Sequence, residues 1–275
     1  MIAPSNAPFP LGIASFDPLT DRVLLWTSHA GAGTCEWEVA TDPDLREVVA
    51  AGTVEADPDT GLVTVDATGL QPATTYWYRF SSAGATSPVG RTRTLPDGAP
   101  TQLRVGVTCC ARFGQSCFEV YGALAEADVD VVVHLGDYVY EDTKCEIEGR
   151  EPDPEHDCVT LDDYRRRHAQ ARRDPDLQTL HARHPMVVVW DDHDLADNAW
   201  RSGAKNHDPD EQGPWEDRLA AALCAHQEHL PKRLADPSDS SSAWRRLDAG
   251  DLVSIVCSET RAHRDEQAGI EGAAD

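Results

Sequence analysis

A chain of 275 residues is long enough for two domains and a sizeable hydrophobic core. Its formal net charge of −24 argues against a nucleic-acid backbone as the main partner, because phosphates require a basic surface. No apolar run approaches the roughly 20 residues of a membrane helix, and residues 1–10 lack the basic start and apolar core of a signal peptide. As written, the chain is predicted to be cytoplasmic, whereas an incomplete N-terminus would make it extracellular or periplasmic.

Residues 9–95 alternate short apolar runs with turn residues, and this spacing predicts a small antiparallel β-sandwich. The predicted strands are RVLLWTS, CEWEVAT, GLVTVDAT, TYWYRFSS and VGRTRT. The pattern LQPATTYWYRF resembles the tyrosine corner of fibronectin type III domains, with Tyr76 as the phenol that caps a crossing between the sheets. Residues 95–101 have the proline and glycine content of a linker, which divides the chain into residues 1–96 and 97–275.

Apolar runs in the second part end in potential metal ligands, which predicts one site beyond the carboxyl ends of parallel strands. The first run, residues 103–108, is followed by Cys109 and Cys110, and the second, residues 131–135, is followed by Asp137 and Tyr140. The third run, residues 186–190, is followed by Asp191, Asp192, His193 and Asp194. Predicted helices separate these runs, as a doubly wound parallel sheet requires. A carboxylate and a phenol three positions apart can reach the same hard cation, and the alternative is an ordinary polar loop.

The segments between these strands carry helix signals. Val120 and Leu124 are predicted to lie on the buried side of the first helix, and Thr160 with Asp163 predicts a capping-box start for the second. Arginines of the second helix either steer an anionic substrate or are simply solvated. The predicted helices are 119–127, 161–172, one that begins at Asp174-Pro175, and one that Pro214 opens and that extends to His229.

The eight cysteines do not form the regular CxxC pairs of a zinc site or a redox disulfide. Cys145, His156 and Cys158 bracket a polar loop, where they would form a disulfide or part of a zinc site. Structural zinc sites use four ligands, so reduced thiols are the default interpretation. Further along, residues 244–247 and 252–257 predict a β-hairpin, which the turn SETRAHRDEQ follows.

The middle of the chain resembles one enzyme family. The run from VTCCARFG through HLGDYVYED to VVVWDDHDLADNAW is similar to PhoD-type alkaline phosphatases and phosphodiesterases, within the wider metallophosphoesterases, and the resemblance extends from Phe9 to about Gln267. It implies an all-β, fibronectin type III-like N-terminal sandwich followed by an α/β metallophosphoesterase-like domain. It also implies an enzyme that hydrolyses phosphate monoesters, diesters or both, with a small phosphoester as the substrate and Fe³⁺ and Ca²⁺ as cofactors.

The resemblance implies the metal ligands. The Gly-Asp-x-x-Tyr spacing is shared with purple acid phosphatases, in which the phenolate binds a ferric ion and the aspartate bridges two metals, so Asp137 and Tyr140 take these places. The thiolate ligand of the family falls on Cys110, and an alternative alignment places Cys109 there. Asp192 takes the ligand place of the DDHD segment, and Asn198 is a further oxygen ligand.

The resemblance also gives His193 a catalytic role, in which its imidazole contacts the phosphate or protonates the leaving oxygen. The alternative is an imidazole that ties down the end of the strand. In SETRAHRDEQ, Glu259 stands where the family has an aspartate and His263 replaces an aromatic residue. These departures leave the turn without an assigned role.

A later family element, a strand that ends in Gly-Asp-x-His, does not occur before Asp275. Gly250 and Asp251 do not replace it, because no histidine follows them. We therefore expect the chain to be the N-terminal part of a longer protein, with a catalytic domain that is incomplete at its C-terminus and inactive alone. The alternative is a non-catalytic remnant or binding module that retains the fold, and the sequence leaves the oligomeric state open.

Overall fold

A computed structural model of the chain describes residues 9–30 and 33–268. Its strands are β1 (Ile13–Phe16), β2 (Arg22–Ser28), β3 (Thr34–Ala40), β4 (Val48–Glu55), β5 (Leu62–Thr68), β6 (Thr75–Ser82), β7 (Ala85–Thr86), β8 (Gly90–Arg93), β9 (Val105–Thr108), β10 (Val131–His134), β11 (Met186–Val188), β12 (Arg245–Ala249) and β13 (Val253–Cys257). Its helices are α1 (Glu119–Ala125), α2 (Leu161–Arg172), α3 (Pro175–Arg183), α4 (Pro209–Gln212) and α5 (Trp215–His229). Within the described residues every α-helix follows the eighth strand, so the N-terminal part is rich in β-structure, as predicted.

One sheet runs through both parts of the chain. Its strand order is β5-β2-β1-β11-β10-β9. The strands β9, β10 and β11 pair in parallel, and β1 adds to them in parallel where Phe16 lies opposite Met186. The remaining neighbours, β2 and β5, are antiparallel. The sequence analysis placed the N-terminal strands in a sandwich of their own, whereas three of them extend the sheet that carries the ligand-bearing strand ends.

A second sheet covers the other face of these three N-terminal strands. It has the order β4-β3-β6-β7, and β8 also pairs with β6. Ile13 and Leu25 from the first sheet share a buried core with Val39, Tyr78 and Phe80 from the second. Burial of such side chains contributes about 1.5–3 kcal/mol each, which makes this core the main stabilising feature of the N-terminal part.

Helices and a hairpin cover the two faces of the parallel strands. Both start signals on α2 and α3 are present: Thr160 and Asp163 form a reciprocal capping box, and Asp174 caps α3 with Pro175 in its first turn. On the opposite face, Leu247 and Cys257 of the β12-β13 hairpin pack against the valines of β10 and β11. The site at the strand ends therefore rests on a buried sheet.

The buried side of α1 differs from the prediction. Leu124 packs against the core as predicted, but Val120 is 59% exposed, and the fully buried residues of this helix are Tyr121 and Ala125. The helix begins after Phe118, which is buried and packs edge-on against Tyr121 at 5.0 Å between ring centroids. This aromatic contact sets the rotation of the helix and turns Val120 outward.

Two further predictions concern the loop cysteines and membrane spans. All eight cysteines lie within the described residues as free thiols. Cys158 is buried, and the thiol of Cys145 donates a hydrogen bond to the Ile147 carbonyl at 3.3 Å. The metal-ligand clusters found among the described residues include neither of these cysteines nor His156. A search of the same residues finds no helix with the length and apolar character needed to cross a bilayer.

Candidate metal centre

The carboxyl ends of β9, β10 and β11 meet at one edge of the sheet, as parallel strands require. Backbone hydrogen bonds continue the pairing past the strands. The N–H of Cys110 donates to the Gly136 carbonyl at 3.2 Å, and the N–H of Val189 donates to the His134 carbonyl at 3.1 Å. The residues that follow the three strands are thereby held beside one another.

Gly136 makes the close approach of two strand ends possible. Its φ of 105° lies in a region that favours glycine, and a Cβ at this position would lie 2.4 Å from the backbone nitrogen of Asp191. The next residue, Asp137, adopts a left-handed φ of 53°. This turn directs the chain away from β10 and brings the Asp137 carboxylate to the residues that follow β11.

Asp194 fixes the two turns to each other. Its fully buried carboxylate accepts backbone N–H groups from Asp137 at 2.7 Å, Tyr138 at 2.9 Å, Val139 at 3.2 Å and Asp191 at 2.9 Å. Burial raises the pKa of Asp194 to about 7, against the effect of the backbone donors. The carboxylate therefore has a structural role, which is to join the end of β10 to the end of β11.

Three carboxylates crowd the edge of the sheet. One oxygen of each of Asp137, Asp191 and Asp192 lies within 4.8 Å of the others. Burial, followed by the charges of the two neighbouring aspartates, raises the pKa of Asp137, although His193 opposes the shift. Arg261 offsets part of the charge of the other two, because its guanidinium pairs with Asp191 and lies 3.0 Å from an oxygen of Asp192. Such a cluster favours occupation by a cation.

The Tyr140 phenol lies next to this cluster. Its hydroxyl donates to Asp137 at 3.1 Å, and the guanidinium of Arg112 stacks over its ring at 3.8 Å from the centroid. Arg112 is itself held by an ion pair with Asp142. Burial, followed by the nearby Asp137 charge, raises the pKa of Tyr140. The phenol would therefore deprotonate only with a strong electrophile, such as a trivalent cation, as its partner.

The structure brings Cys110 to the same place. Its backbone φ of 56° is left-handed, and its thiol interacts with Asp137 and with the neighbouring thiol of Cys109. Burial, followed by the interaction with Cys109, raises the pKa of Cys110 to about 12. Of the two cysteines between which the sequence left a choice, Cys110 is the one whose thiol adjoins both Asp137 and Tyr140.

The His193 imidazole is oriented by a buried carboxylate. Its Nδ1–H donates to Glu141 at 2.7 Å, and its backbone N–H donates to Asp137 at 3.3 Å. Burial lowers the pKa of His193, but the hydrogen bond and charge of Glu141 outweigh this effect and raise it overall. Glu141 is fully buried and also accepts the Asp197 N–H and the Asn206 side chain, so its position is fixed from three sides.

Asn198 has a different arrangement from the other predicted ligands. Its backbone N–H donates to Asp192 at 2.7 Å, but its side-chain oxygen accepts a hydrogen bond from Arg264. The side-chain nitrogen lies 3.3 Å from the Gln267 oxygen. The residue therefore adjoins the cluster through its backbone, while its amide group faces two polar residues of the last described segment.

The sequence predicted no role for Glu141 or Arg261, and it counted Asp194 among the potential metal ligands, whereas the Asp194 carboxylate binds backbone N–H groups. Glu141 closes the stretch VVVHLGDYVYE, so its position in a ligand-bearing loop was the available signal. Arg261 belongs to the turn that had no assigned role. Glu259 anchors that turn, because its carboxylate accepts the Trp190 indole N–H at 2.9 Å and the Ala262 N–H at 2.6 Å. The glutamate thus brings Arg261 to the acidic pair.

The chain is similar to known proteins over almost its whole length. The family model for the PhoD-like phosphatase matches residues 105–274, and the model for the N-terminal domain of PhoD-like phosphatases matches residues 2–96. Alkaline phosphatase D of Bacillus subtilis (strain 168) is 37% identical over 98% of this chain and 49% of its own length. A solved structure titled "Structure of PhoD" superposes with a TM-score of 0.88 at 37% identity, covering 97% of this chain and 55% of that chain.

The chain thus spans about half the length of the relatives that it matches. Within that span the likeness is continuous, since it includes the β-rich N-terminal part, the three strand ends and the turn of Arg261. The family model alone matches more than half of the chain. On this evidence the chain belongs to the PhoD-like phosphatase family.

Proposed function

We propose that this chain provides the metal-binding part of a phosphoesterase that hydrolyses phosphate monoesters, diesters or both. The observation that carries the proposal is the cluster of Asp137, Asp191 and Asp192 at the strand ends, with the oriented His193 beside it. A small phosphoester would be the substrate. The net charge of −24 disfavours a nucleic acid as the main partner.

The residues at the site fit hard metal ions. Asp137, Tyr140 and Cys110 supply a carboxylate, a phenol and a thiol at one point, and this combination suits Fe³⁺. Asp192 and Asn198 would add oxygen ligands of the kind that Ca²⁺ prefers, after the Asn198 side chain turns away from Arg264. When bound, the ions would supply Lewis acidity toward phosphate oxygens and activate water for in-line attack.

His193 is the proposed general acid. Glu141 occupies its Nδ1–H, which leaves Nε2 as the nitrogen that can exchange a proton with the leaving oxygen. The pKa of His193 is raised overall, which favours the protonated imidazole that a general acid requires. Glu141 acts as a positioning residue in this scheme, because it fixes the tautomer and the direction of the ring.

Replacing Glu141 with glutamine tests this role. The side-chain oxygen of the introduced glutamine can still accept from Asp197 and Asn206, but an NH₂ group replaces the oxygen that faces His193 Nδ1. The imidazole would then adopt the other tautomer and lose its charged partner. We expect kcat to fall roughly 100-fold with KM little changed, because the loss falls on proton transfer.

The kcat and KM of the variant and the unmodified enzyme are compared in the product of the whole gene. The pKa of His193 is followed by NMR in the metal-free 275-residue chain. The pKa should fall in the Glu141→Gln variant, since the carboxylate that raises it is gone. Glu155→Gln, an exposed glutamate, is the matched control. An unchanged kcat together with an unchanged pKa would remove His193 and Glu141 from the mechanism.

The visible absorption spectrum of the iron-loaded protein tests whether Tyr140 is an iron ligand. A phenolate bound to Fe³⁺ gives a charge-transfer band, so the iron-loaded protein should be coloured. We expect Tyr140→Phe to bleach the band and weaken iron binding without unfolding the protein, because the ring and its stacking with Arg112 remain. Tyr76→Phe is the matched control, since the Tyr76 hydroxyl accepts the Gln71 N–H far from the site.

A Tyr140→Phe variant that keeps its colour and iron content would show that the phenol is structural. If no divalent or trivalent ion binds even to the unmodified protein, the alternative of a non-catalytic remnant or binding module would be favoured. The experiment thus separates the two classes of function before any substrate is tried.

We further propose that residues 1–96 form a fibronectin type III-like sandwich and that residues 97–275 belong to an α/β metallophosphoesterase-like domain. The N-terminal strands support the first assignment, because β5-β2-β1 face a sheet of β4, β3, β6 and β8. The Tyr76 hydroxyl accepts the Gln71 N–H at 2.8 Å, as a tyrosine corner would. Parallel β9, β10 and β11 with intervening helices support the second.

A further inference from the structure

Two adjacent cysteines follow β9 at the edge of the candidate metal centre. Cys109 and Cys110 are both exposed, and they are neighbours in the chain, so their thiols can reach each other. Among the other cysteines only Cys117 is exposed, whereas the rest are buried or half-buried. The most accessible pair of thiols in the chain therefore includes the residue proposed as the thiolate ligand.

We propose that Cys109 and Cys110 form a reversible oxidative modification site, in which a peroxide joins the two sulfurs in a disulfide and so removes Cys110 from the metal centre. One thiolate attacks the peroxide, which breaks the O–O bond and yields a sulfenic acid and one water. The second thiol then attacks that sulfur and releases a second water. Two thiols lose two electrons and two protons, and the peroxide is reduced to water.

The covalent geometry of neighbouring residues makes this bond easy to reduce. Adjacent Cα atoms are about 3.8 Å apart, whereas disulfides normally join Cα atoms about 4.4–6.8 Å apart. A disulfide between neighbours is therefore strained, and strained, exposed disulfides are the labile and regulatory ones. A dithiol reductant would restore both thiols. The pair is suited to a reversible change rather than to a structural crosslink.

The effect of this oxidation on the metal centre rests on the proposed function, in which Cys110 is an iron ligand. Cys110 adjoins Asp137 and Tyr140, so its sulfur would be lost as a thiolate donor when the disulfide forms. Bound metal would protect the thiol, and the metal-free protein would be the form that oxidises. The chemical modification itself requires neither metal nor activity, so it can be tested separately.

The tryptic peptide Val105–Arg112 isolates the two cysteines. Trypsin cleaves after Arg104 and Arg112, and the peptide VGVTCCAR contains no other cysteine. Cys117 falls in the next tryptic peptide, Phe113–Lys144. The folded, metal-free 275-residue chain is treated with hydrogen peroxide, alkylated with iodoacetamide, digested and analysed by mass spectrometry.

We expect Val105–Arg112 to become lighter by two hydrogen atoms, to resist alkylation, and to regain two alkylation sites after dithiothreitol. The folded chain should close the ring at a different rate from the synthetic peptide VGVTCCAR, and we expect it to be faster because the fold fixes Cys110 in a left-handed conformation that the free peptide rarely adopts. Cys109→Ser should show only oxygen additions on the remaining thiol. Cys117→Ser should behave like the unmodified chain.

Other results would overturn the proposal. These are a disulfide from either cysteine to Cys117, irreversible oxygen additions to both thiols, or ring closure no faster in the folded chain than in the peptide. When the metal-free whole protein is treated with peroxide before iron is added, it should bind less iron, and dithiothreitol should restore the binding. A correct peptide result without any effect on the subsequent binding of iron would uphold the modification and reject Cys110 as an iron ligand.

Discussion

Asp137→Asn is expected to cause the largest loss of activity of any single change at the site. The carboxylate of Asp137 lies among Asp191, Asp192 and the Tyr140 phenol, and we propose that it bridges two ions. A neutral amide cannot balance their charge. We expect a loss of at least about 10³-fold in phosphoester hydrolysis by the product of the whole gene, equivalent to about 4 kcal/mol of transition-state stabilisation.

Metal content is the second measurement for this variant. After dialysis, the 275-residue chain with Asp137→Asn should hold less of both ions than the unmodified chain, while its melting temperature stays similar because asparagine can still accept one hydrogen bond. Asp251→Asn, in an exposed turn, is the control. Hydrolysis within a factor of about ten of the unmodified enzyme would exclude a bridging carboxylate at Asp137.

The two aspartates after β11 can be ranked in the same assay. Asp192→Asn should lower metal content more than Asp191→Asn does, because the resemblance places Asp192 at the ligand position, while Arg261 pairs with both carboxylates. The opposite ranking would move the ligand role to Asp191. Neither result alters the expectation for Asp137.

Local patterns predicted the strand ends well. Parallel strands bring their carboxyl ends to one edge, so residues that follow separate strands, such as Cys110 and Asp137, could be expected to meet. The helix starts at Thr160 and Asp174 were equally predictable, because a cap depends only on the next three residues. These features depend on short stretches of sequence.

The features that were missed depend on contacts between distant residues. Asp194 bonds to backbone groups 55–57 residues earlier, and Arg261 reaches an aspartate 70 residues earlier. The β1-β11 pairing joins edges that are 170 positions apart, from Phe16 to Met186. Pairings between residues so far apart leave no periodic pattern in the sequence. Strand β4 was also missed, and its side chains are exposed or half-buried, so it leaves no pattern of buried positions.

Asp194→Ala is expected to give the largest loss of stability. The substitution leaves four buried backbone N–H groups of the two strand ends without their charged acceptor. Since an unsatisfied buried donor costs about 1–3 kcal/mol and the losses are not additive, we expect a decrease of roughly 3–5 kcal/mol in the free energy of unfolding. The measurement is chemical denaturation of the variant and the unmodified chain at the same pH.

The same substitution should separate the predicted ligands, because Asp194 holds the backbone of Asp137 against that of Asp191. We therefore expect metal binding to weaken in Asp194→Ala even under conditions where the variant remains folded. Asp251→Ala, whose carboxylate is exposed, should change stability by less than about 0.5 kcal/mol. An Asp194→Ala protein with the stability and metal content of this control would show that the backbone turn, with Gly136 at its centre, holds the strand ends together without the carboxylate.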